Sequence, residues 1–141
     1  METWMITGVT GFLGPRVEVT LREKGEVEVL PMTREELNFT DEEQVKRVLG
    51  TLHPDVLVHA AAVSDTGACE RDPEGSWKVN VTGVEYLSKA CRENGTKLIF
   101  ASSDQVYTGS EVRTPHREDE ILTPANVYGR EKLEAERIVA N

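Results

Sequence analysis

Tyr128 and Lys132 stand four residues apart in the segment Tyr128-Gly129-Arg130-Glu131-Lys132. Side chains at positions i and i+4 project from the same face of a helix, so the lysine ammonium can lie beside the tyrosine phenol. A phenol ordinarily titrates near pH ~10. We expect the cation to lower the pKa of Tyr128 toward the range in which it exchanges a proton with an alcohol or carbonyl oxygen.

Ser103, in the pair Ser102-Ser103, supplies a hydroxyl that can hydrogen-bond the same substrate oxygen and fix its position. The spacing of Tyr128 and Lys132 also occurs by chance on helices. The prediction of a catalytic Ser103, Tyr128 and Lys132 therefore depends on the motifs that accompany them.

A glycine-rich turn, Gly8-Val9-Thr10-Gly11-Phe12-Leu13-Gly14, follows the first predicted strand and precedes the first predicted helix. Glycines allow a tight turn and close backbone approach, while a helix N-terminus offers N–H donors and a positive dipole end to a pyrophosphate. The spacing is G-x-x-G-x-x-G instead of the G-x-G-x-x-G of many dinucleotide sites, and a plain strand–helix turn is the alternative. With Tyr128 and Lys132, this turn indicates oxidation or reduction of a carbonyl carbon by a nicotinamide cofactor.

The end of the second predicted strand reads Pro31-Met32-Thr33-Arg34, without a carboxylate at the position that reads a ribose 2′-hydroxyl. Thr33 and Arg34 can hold a 2′-phosphate there, which favours NADP over NAD, with NAD still admissible. Arg34 as a solvated residue at a helix start is the competing interpretation.

Three small residues, Ala60, Ala61 and Ala62, follow the apolar run at 56–59. Small side chains at the carboxyl end of a strand leave room for a ligand over the sheet edge, although plain core packing explains them too.

The composition of 141 residues, 38% of them hydrophobic, predicts one domain over residues 1–141. A net charge of −9 disfavours binding to nucleic acid or anionic membranes. The start of the chain has no signal-peptide or membrane-span pattern, so we expect a cytoplasmic location. Neither the two cysteines nor the three histidines have the spacing of a metal site, so we expect no metal and two buried, reduced thiols, Cys69 and Cys91.

Short apolar runs alternate with amphipathic stretches, which is typical of β-α-β units around a parallel sheet. We predict strands at residues 4–7, 27–30, 56–59 and 97–101. The predicted helices begin near Pro15, at a Thr40/Glu43 capping box, at Asp72-Pro73 and before Tyr128, and the first three end at Gly25, Gly50 and Asn94-Gly95. Residues 110–124 are predicted to form a loop.

The fold class is therefore α/β, a Rossmann-type doubly wound parallel sheet. Such sheets normally continue with further strands, whereas this chain ends at Asn141, directly after the Tyr128 helix. We expect an incomplete domain that lacks later strands and a substrate domain, and association of copies through an exposed sheet edge or helix.

These motifs resemble those of the extended short-chain dehydrogenase/reductases, and within them the dTDP-4-dehydrorhamnose reductase group. The glycine motif, the His59-Ala60-Ala61-Ala62 segment, the stretch from Ala101 to Tyr107 and the stretch from Asn126 to Glu134 all match. Serine at position 103 stands where threonine is more usual, and Asn38 stands where aspartate is common.

The resemblance implies an NADP-dependent reductase of a nucleotide-linked keto-sugar, with Ser103, Tyr128 and Lys132 as the catalytic residues. It also implies cofactor contacts from Asn38 and Phe39 beside the adenine, from Asn80, and from Ser102. Two alternatives share the resemblance: a sugar-nucleotide epimerase or dehydratase, and the regulatory subunit of methionine adenosyltransferase, which binds cofactor and partner without known need for turnover.

Overall fold

The computed structural model describes residues 1–107 and 114–141. Four parallel strands form one sheet in the order β2-β1-β3-β4, and their bounds are β1 Glu2–Thr7, β2 Val27–Pro31, β3 Val56–His59 and β4 Lys97–Phe100. The predicted α/β fold with a parallel sheet is confirmed. The strand order changes direction between β1 and β3, and a ligand crevice is expected at the carboxyl ends of such a pair.

The helices follow the strands in alternation. They are α1 Leu13–Lys24, α2 Glu42–Leu52, α3 Thr66–Arg71, α4 Pro73–Trp77, a π turn Lys78–Thr82, α5 Gly83–Asn94, a 3₁₀ turn Asp104–Val106 and α6 Val127–Ala140. Gly25 and Gly95 end α1 and α5 in the left-handed conformation, as predicted.

Two details at α2 and β2 differ from the prediction. The side chain of Asp41, and not that of Thr40, caps α2, and the helix continues through Gly50 to a left-handed His53. Strand β2 includes Pro31, which pairs with Ile6. A proline is tolerated there because β2 is an edge strand and can do without one ladder donor.

The sheet is covered unequally on its two faces. Helices α2 and α5 bury a core around Met5, Leu57 and Leu87 on one face, whereas α1 covers Ile6 and Val58 on the other. Among the strands that the structure describes, β4 pairs only with β3, and its Ile99 is 38% exposed on the α1 face. Association through this edge stays a prediction.

The predicted loop at 110–124 lies partly outside the described residues, and its described part, 114–124, contains neither helix nor strand. Among the helices described, none has both the length and the apolar character needed to span a bilayer.

Candidate active site

A cavity of about 440 Å³ opens at the carboxyl ends of the strands. Most of the predicted site residues line it: Gly8, Gly11, Phe12, Leu13, Thr33, Arg34, Asn38, Phe39, Ala60, Ala61, Ala62, Ser102, Tyr128 and Lys132. The cavity lies over β1 and β3, at the change of direction in the strand order. Residues from the two ends of the chain therefore meet in one site.

The glycine turn presses directly against the end of β3. Gly8 has φ +73°, and a Cβ at this position would lie 2.7 Å from the Ala60 carbonyl carbon. A Cβ on Gly14 would lie 2.1 Å from the Gly8 carbonyl oxygen. Both positions require glycine, and Gly14 acts behind the cavity wall instead of lining it.

Helix α1 begins at the cavity with its N-terminal donors uncapped. Its N-cap residue, Phe12, makes no side-chain capping hydrogen bond, and the first turn carries no acidic residue. Phe12 and Leu13 are 76% and 45% exposed. Free N–H groups at a helix N-terminus, beside glycines that admit a close approach, fit a pyrophosphate.

Thr7 and His59 support the opposite wall, a role that the sequence analysis missed. The Thr7 hydroxyl oxygen accepts the backbone N–H groups of Ala60 and Ala61 at 3.1 and 3.3 Å and lies 2.7 Å from His59 Nδ1. The hydroxyl proton is therefore donated to Nδ1, and the neutral imidazole carries its proton on Nε2. The only signal in the sequence was a polar residue at the end of each of two apolar strands.

His59 is completely buried, and burial, with a smaller contribution from the Lys132 charge, lowers its pKa to about 3. Its ring packs edge-to-face with Phe39 and stacks on Phe100. The imidazole is accordingly a neutral structural support at physiological pH.

No carboxylate stands at residues 31–34, as predicted, but Glu36, on the turn that follows β2, reaches back to Thr33 without lining the cavity. The Thr33 N–H donates to Glu36 Oε2 at 2.9 Å, and Thr33 and Arg34 both line the cavity. A 2′-phosphate that takes the Thr33 N–H would have to displace Glu36, whereas a 2′-hydroxyl could donate to it. The tight turn at 33–37 brings Glu36 back to Thr33, which a count along the strand did not reveal.

Asn38 and Phe39 line the cavity beyond this turn. The Asn38 side-chain oxygen accepts the Thr40 hydroxyl at 2.6 Å and the Thr40 N–H at 3.2 Å, which fixes the local turn. Phe39 is buried between His59 and Gly83. Their predicted place beside an adenine stays a prediction.

Tyr128 and Lys132 both line the cavity, but they do not act on each other as expected. Lys132 Nζ donates to the Ala101 carbonyl at 2.7 Å and lies 4.3 Å from the centre of the Phe100 ring. Burial lowers the pKa of Lys132 to about 8, against a smaller opposing effect of Glu136.

The pKa of Tyr128 is raised, chiefly by burial, and the nearby Ser103 hydroxyl acts in the opposite direction. The predicted lowering by Lys132 is therefore wrong in this arrangement. Ser103 itself does not line the cavity, and its hydroxyl accepts the Gln105 N–H at 3.1 Å. Its influence on the pKa of Tyr128 nevertheless places it beside the phenol.

Asn80 is buried behind the cavity wall and does not line it. Its Oδ1 accepts the Val63 N–H at 2.9 Å, and its Nδ2 donates to the Val63 carbonyl at 3.0 Å. Asn80 thus holds the backbone just past β3. Over residues 1–107 and 114–141, no group of three or more His, Cys, Asp or Glu could hold a metal ion, and Cys69 and Cys91 are buried free thiols.

Known proteins that are similar to this chain include reductases and a subunit of methionine adenosyltransferase. The chain is 32% identical over 139 residues to a dTDP-4-dehydrorhamnose reductase of Aggregatibacter actinomycetemcomitans, covering 99% of this chain and 47% of that protein. It is 37% identical over 142 residues to methionine adenosyltransferase 2 subunit beta of Xenopus laevis, covering 96% and 42%. The chain thus spans about half the length of these relatives.

Two solved structures share the fold over nearly the whole chain. A dTDP-4-dehydrorhamnose reductase of Bacillus anthracis, in complex with NADP, has a TM-score of 0.93 at 27% identity and covers 99% of this chain and 50% of that one. A UDP-glucose 4-epimerase of Thermus thermophilus, in complex with NAD, has a TM-score of 0.90 at 26% identity and covers 98% and 50%. The family described as the RmlD substrate binding domain matches residues 2–141, and the chain belongs to that family.

Proposed function

We propose that residues 1–141 form the NAD(P)-binding part of an NADP-dependent reductase that acts on a nucleotide-linked keto-sugar. One observation carries the proposal: a single cavity joins the uncapped N-terminus of α1 to the Tyr128 and Lys132 side chains. The first feature suits a dinucleotide pyrophosphate, and the second suits proton transfer to a carbonyl oxygen.

The described residues fit a dinucleotide cofactor. The Gly8 to Gly14 turn and the first turn of α1 would hold the pyrophosphate, and Thr33 and Arg34 would face the 2′ position of the ribose. Ala60, Ala61 and Ala62 leave the space over the end of β3 free of large side chains. When bound, the nicotinamide supplies the hydride for the keto carbon.

The protein's own contribution to reduction is a proton at the carbonyl oxygen. A raised pKa keeps the Tyr128 phenol protonated at neutral pH, which is the state that a proton donor needs. Ser103, beside the phenol, would orient the same oxygen. Lys132, held at the Ala101 carbonyl, would bind the cofactor ribose.

Cofactor preference tests the 2′-phosphate part of the proposal. We expect NADPH to bind this chain more tightly than NADH by about 1 kcal/mol, roughly fivefold, if Arg34 makes a charge-assisted contact. Fluorescence titrations at low salt measure both affinities. Arg34→Ala should remove the preference, and equal affinities in both proteins would contradict it.

Glu36 gives the same experiment a second arm. Because its carboxylate occupies the Thr33 N–H, Glu36→Ala should strengthen NADPH binding more than NADH binding. Glu35→Ala is the matched control, since Glu35 is a neighbouring exposed glutamate and the Thr33 N–H donates to Glu36 instead. A shift toward NADH as the preferred cofactor would favour the epimerase alternative.

A regulatory subunit is the second candidate, because the chain is 37% identical to methionine adenosyltransferase 2 subunit beta over 96% of its own length. The two candidates differ in turnover. A longer protein carrying this chain, supplied with NADPH and a dTDP-linked 4-keto-sugar, should oxidise NADPH if the reductase proposal holds. Tight NADPH binding without oxidation of NADPH would favour the regulatory role.

A further inference from the structure

Glu131, next to Lys132 on α6, carries a carboxyl group that is buried without a cationic partner. The residue is 1% exposed, and the described part of the chain shows no ion pair to it. Ser76 Oγ donates to Glu131 Oε2 at 2.9 Å, and Asn80 Nδ2 donates to Glu131 Oε1 at 3.4 Å. Burying a carboxyl group with only neutral donors is costly, so its position calls for a function.

The Asn80 amide connects this carboxyl group to the cavity wall. One Nδ2 proton reaches the Val63 carbonyl, and the other reaches Glu131, with Cys69 Sγ as a further, weak acceptor at 3.9 Å. Oδ1 accepts the Val63 N–H. Val63 lines the cavity. Because both oxygens of the Glu131 carboxyl group accept hydrogen bonds, the group holds the NH₂ side of the amide toward itself and helps to keep Oδ1 on Val63.

The connection crosses three elements of the fold. Asn80 lies in the π turn Lys78–Thr82, Ser76 lies in α4, and Glu131 lies in the helix that carries Tyr128 and Lys132. Single π turns inside helices are frequent at functional sites. The reactive helix and the segment after β3 are therefore joined by one buried hydrogen-bonded chain.

We propose that Glu131 is a positioning residue that fixes the wall at Val63 relative to Tyr128 and Lys132, through Asn80. The role in catalysis rests on the proposed function, whereas the mechanical link does not. Glu131 touches neither the cavity nor the reacting groups, so it acts entirely through its neighbours.

Amide hydrogen exchange of this chain, without cofactor, tests the link. Glu131→Ala leaves an Asn80 proton with only the weak sulfur acceptor of Cys69, so exchange at the Val63 N–H should rise by about tenfold more than at Leu57, in the middle of β3. A purely global loss of stability would raise both rates equally. Equal changes at Val63 and Leu57, or no change at Val63, would overturn the proposal.

Two variants keep the test decisive. In Glu131→Gln the amide oxygen can accept from Asn80 while its NH₂ donates to Ser76, whose hydroxyl can turn to the Pro73 carbonyl 3.3 Å away. Val63 exchange should therefore return to near the wild-type rate. Glu134→Ala, which removes a partly exposed glutamate of the same helix, should leave Val63 unchanged. If Glu131→Ala does not fold, Glu131→Met replaces it, because methionine keeps the volume but has no oxygen acceptor, and an unchanged Val63 rate there overturns the link.

NADPH titration separates this proposal from the proposed function. If the wild-type chain binds NADPH, Glu131→Ala should weaken binding several-fold and Glu131→Gln should restore it. Unchanged affinity in Glu131→Ala would overturn the role in the site. A wild-type chain that does not bind NADPH would contradict the proposed function, and the exchange rates at Val63 would still decide the link.

Discussion

Helices α1 and α6 both begin near the cavity, but side chains cap the N-terminus of α6 and not that of α1. At α6, the Asn126 side-chain oxygen accepts the Gly129 N–H at 2.7 Å, and Glu70 accepts the Val127 N–H at 2.8 Å. At α1, no side chain caps the first turn. Since the first N–H groups of any helix need partners, α1 leaves to a ligand what α6 obtains within the protein.

Under the proposed function, this difference indicates that α1 binds the cofactor and that α6 is held in place by the protein. Three further helices, α2, α3 and α4, are capped by the aspartates Asp41, Asp65 and Asp72. The helices that have only a structural role therefore begin with a capping side chain. At the α1 turn the sequence supplies glycines instead, and the fixed start of α6 holds Tyr128 and Lys132 at the other end of the cavity.

The largest expected effect lies on the α6 side. In a longer, active protein, Tyr128→Phe removes the proton donor but keeps the ring, so the reduction rate should fall by at least ~100-fold. NADPH affinity should change little, because α1 is untouched. Steady-state rates and titrations measure both, with Tyr86→Phe as the control. Retained turnover in Tyr128→Phe would show that another group donates the proton.

The buried His59, which supports the cavity wall together with Thr7, should make the stability of the protein depend on pH. His59 has a folded pKa of about 3, against 6.5 as its ordinary value. Between these values the unfolded chain binds more protons, so the free energy of unfolding should fall as the pH drops below about 6.5, by up to ~1.4 kcal/mol per pH unit from this group.

Urea unfolding of wild type and His59→Asn at pH 7, 6 and 5 measures this slope. The variant should lose most of it. His53→Asn is the control, because His53 is exposed and left-handed, a conformation that asparagine tolerates. An equal slope in wild type and His59→Asn would show that the imidazole is not buried in its neutral form.

Removing the cap of α6 should have a smaller effect. Asn126→Ala should lower the free energy of unfolding by about 1 kcal/mol and weaken NADPH binding, because the helix carrying Lys132 loses its fixed start. Asp41→Ala removes the equivalent cap of α2, a helix that does not line the cavity, and should cost similar stability with a smaller change in affinity. Equal NADPH affinities in the two variants would contradict the claim that the fixed start of α6 matters for cofactor binding.

Adding charge to α1 should have the smallest effect. Phe12→Asp places a carboxylate beside the uncapped N–H groups, and Phe12→Asn places a neutral group of similar size. NADPH should bind the aspartate variant about twofold to fivefold more weakly than the asparagine variant, as expected for a charge near a helix terminus. Identical affinities would place the pyrophosphate elsewhere.

Much of this site was predictable because its signals are local in sequence. The glycine turn, the small residues after β3 and the Tyr128/Lys132 spacing each mark one element, and a parallel sheet brings strand ends together. The structure added what depends on side-chain reach across the fold. Glu36 folds back to Thr33, and Lys132 reaches Ala101 instead of the phenol.

The buried polar links could not be predicted for the same reason. Thr7 meets His59 across 52 residues of sequence, and Ser76 meets Glu131 across 55. No spacing along one strand or helix encodes such pairs. The α2 cap was misplaced by one residue because Thr40 and Asp41 are both good capping residues, and only the geometry selects Asp41.

Backbone amide NMR during an NADPH titration of this chain tests the central claim most directly. The Leu13 and Gly14 N–H signals, in the uncapped first turn of α1, should shift strongly on binding. The Val127 and Gly129 signals should shift little, because Glu70 and Asn126 already hold those N–H groups. Large shifts at the start of α6 with none at the start of α1, or no shift at either, would contradict the account.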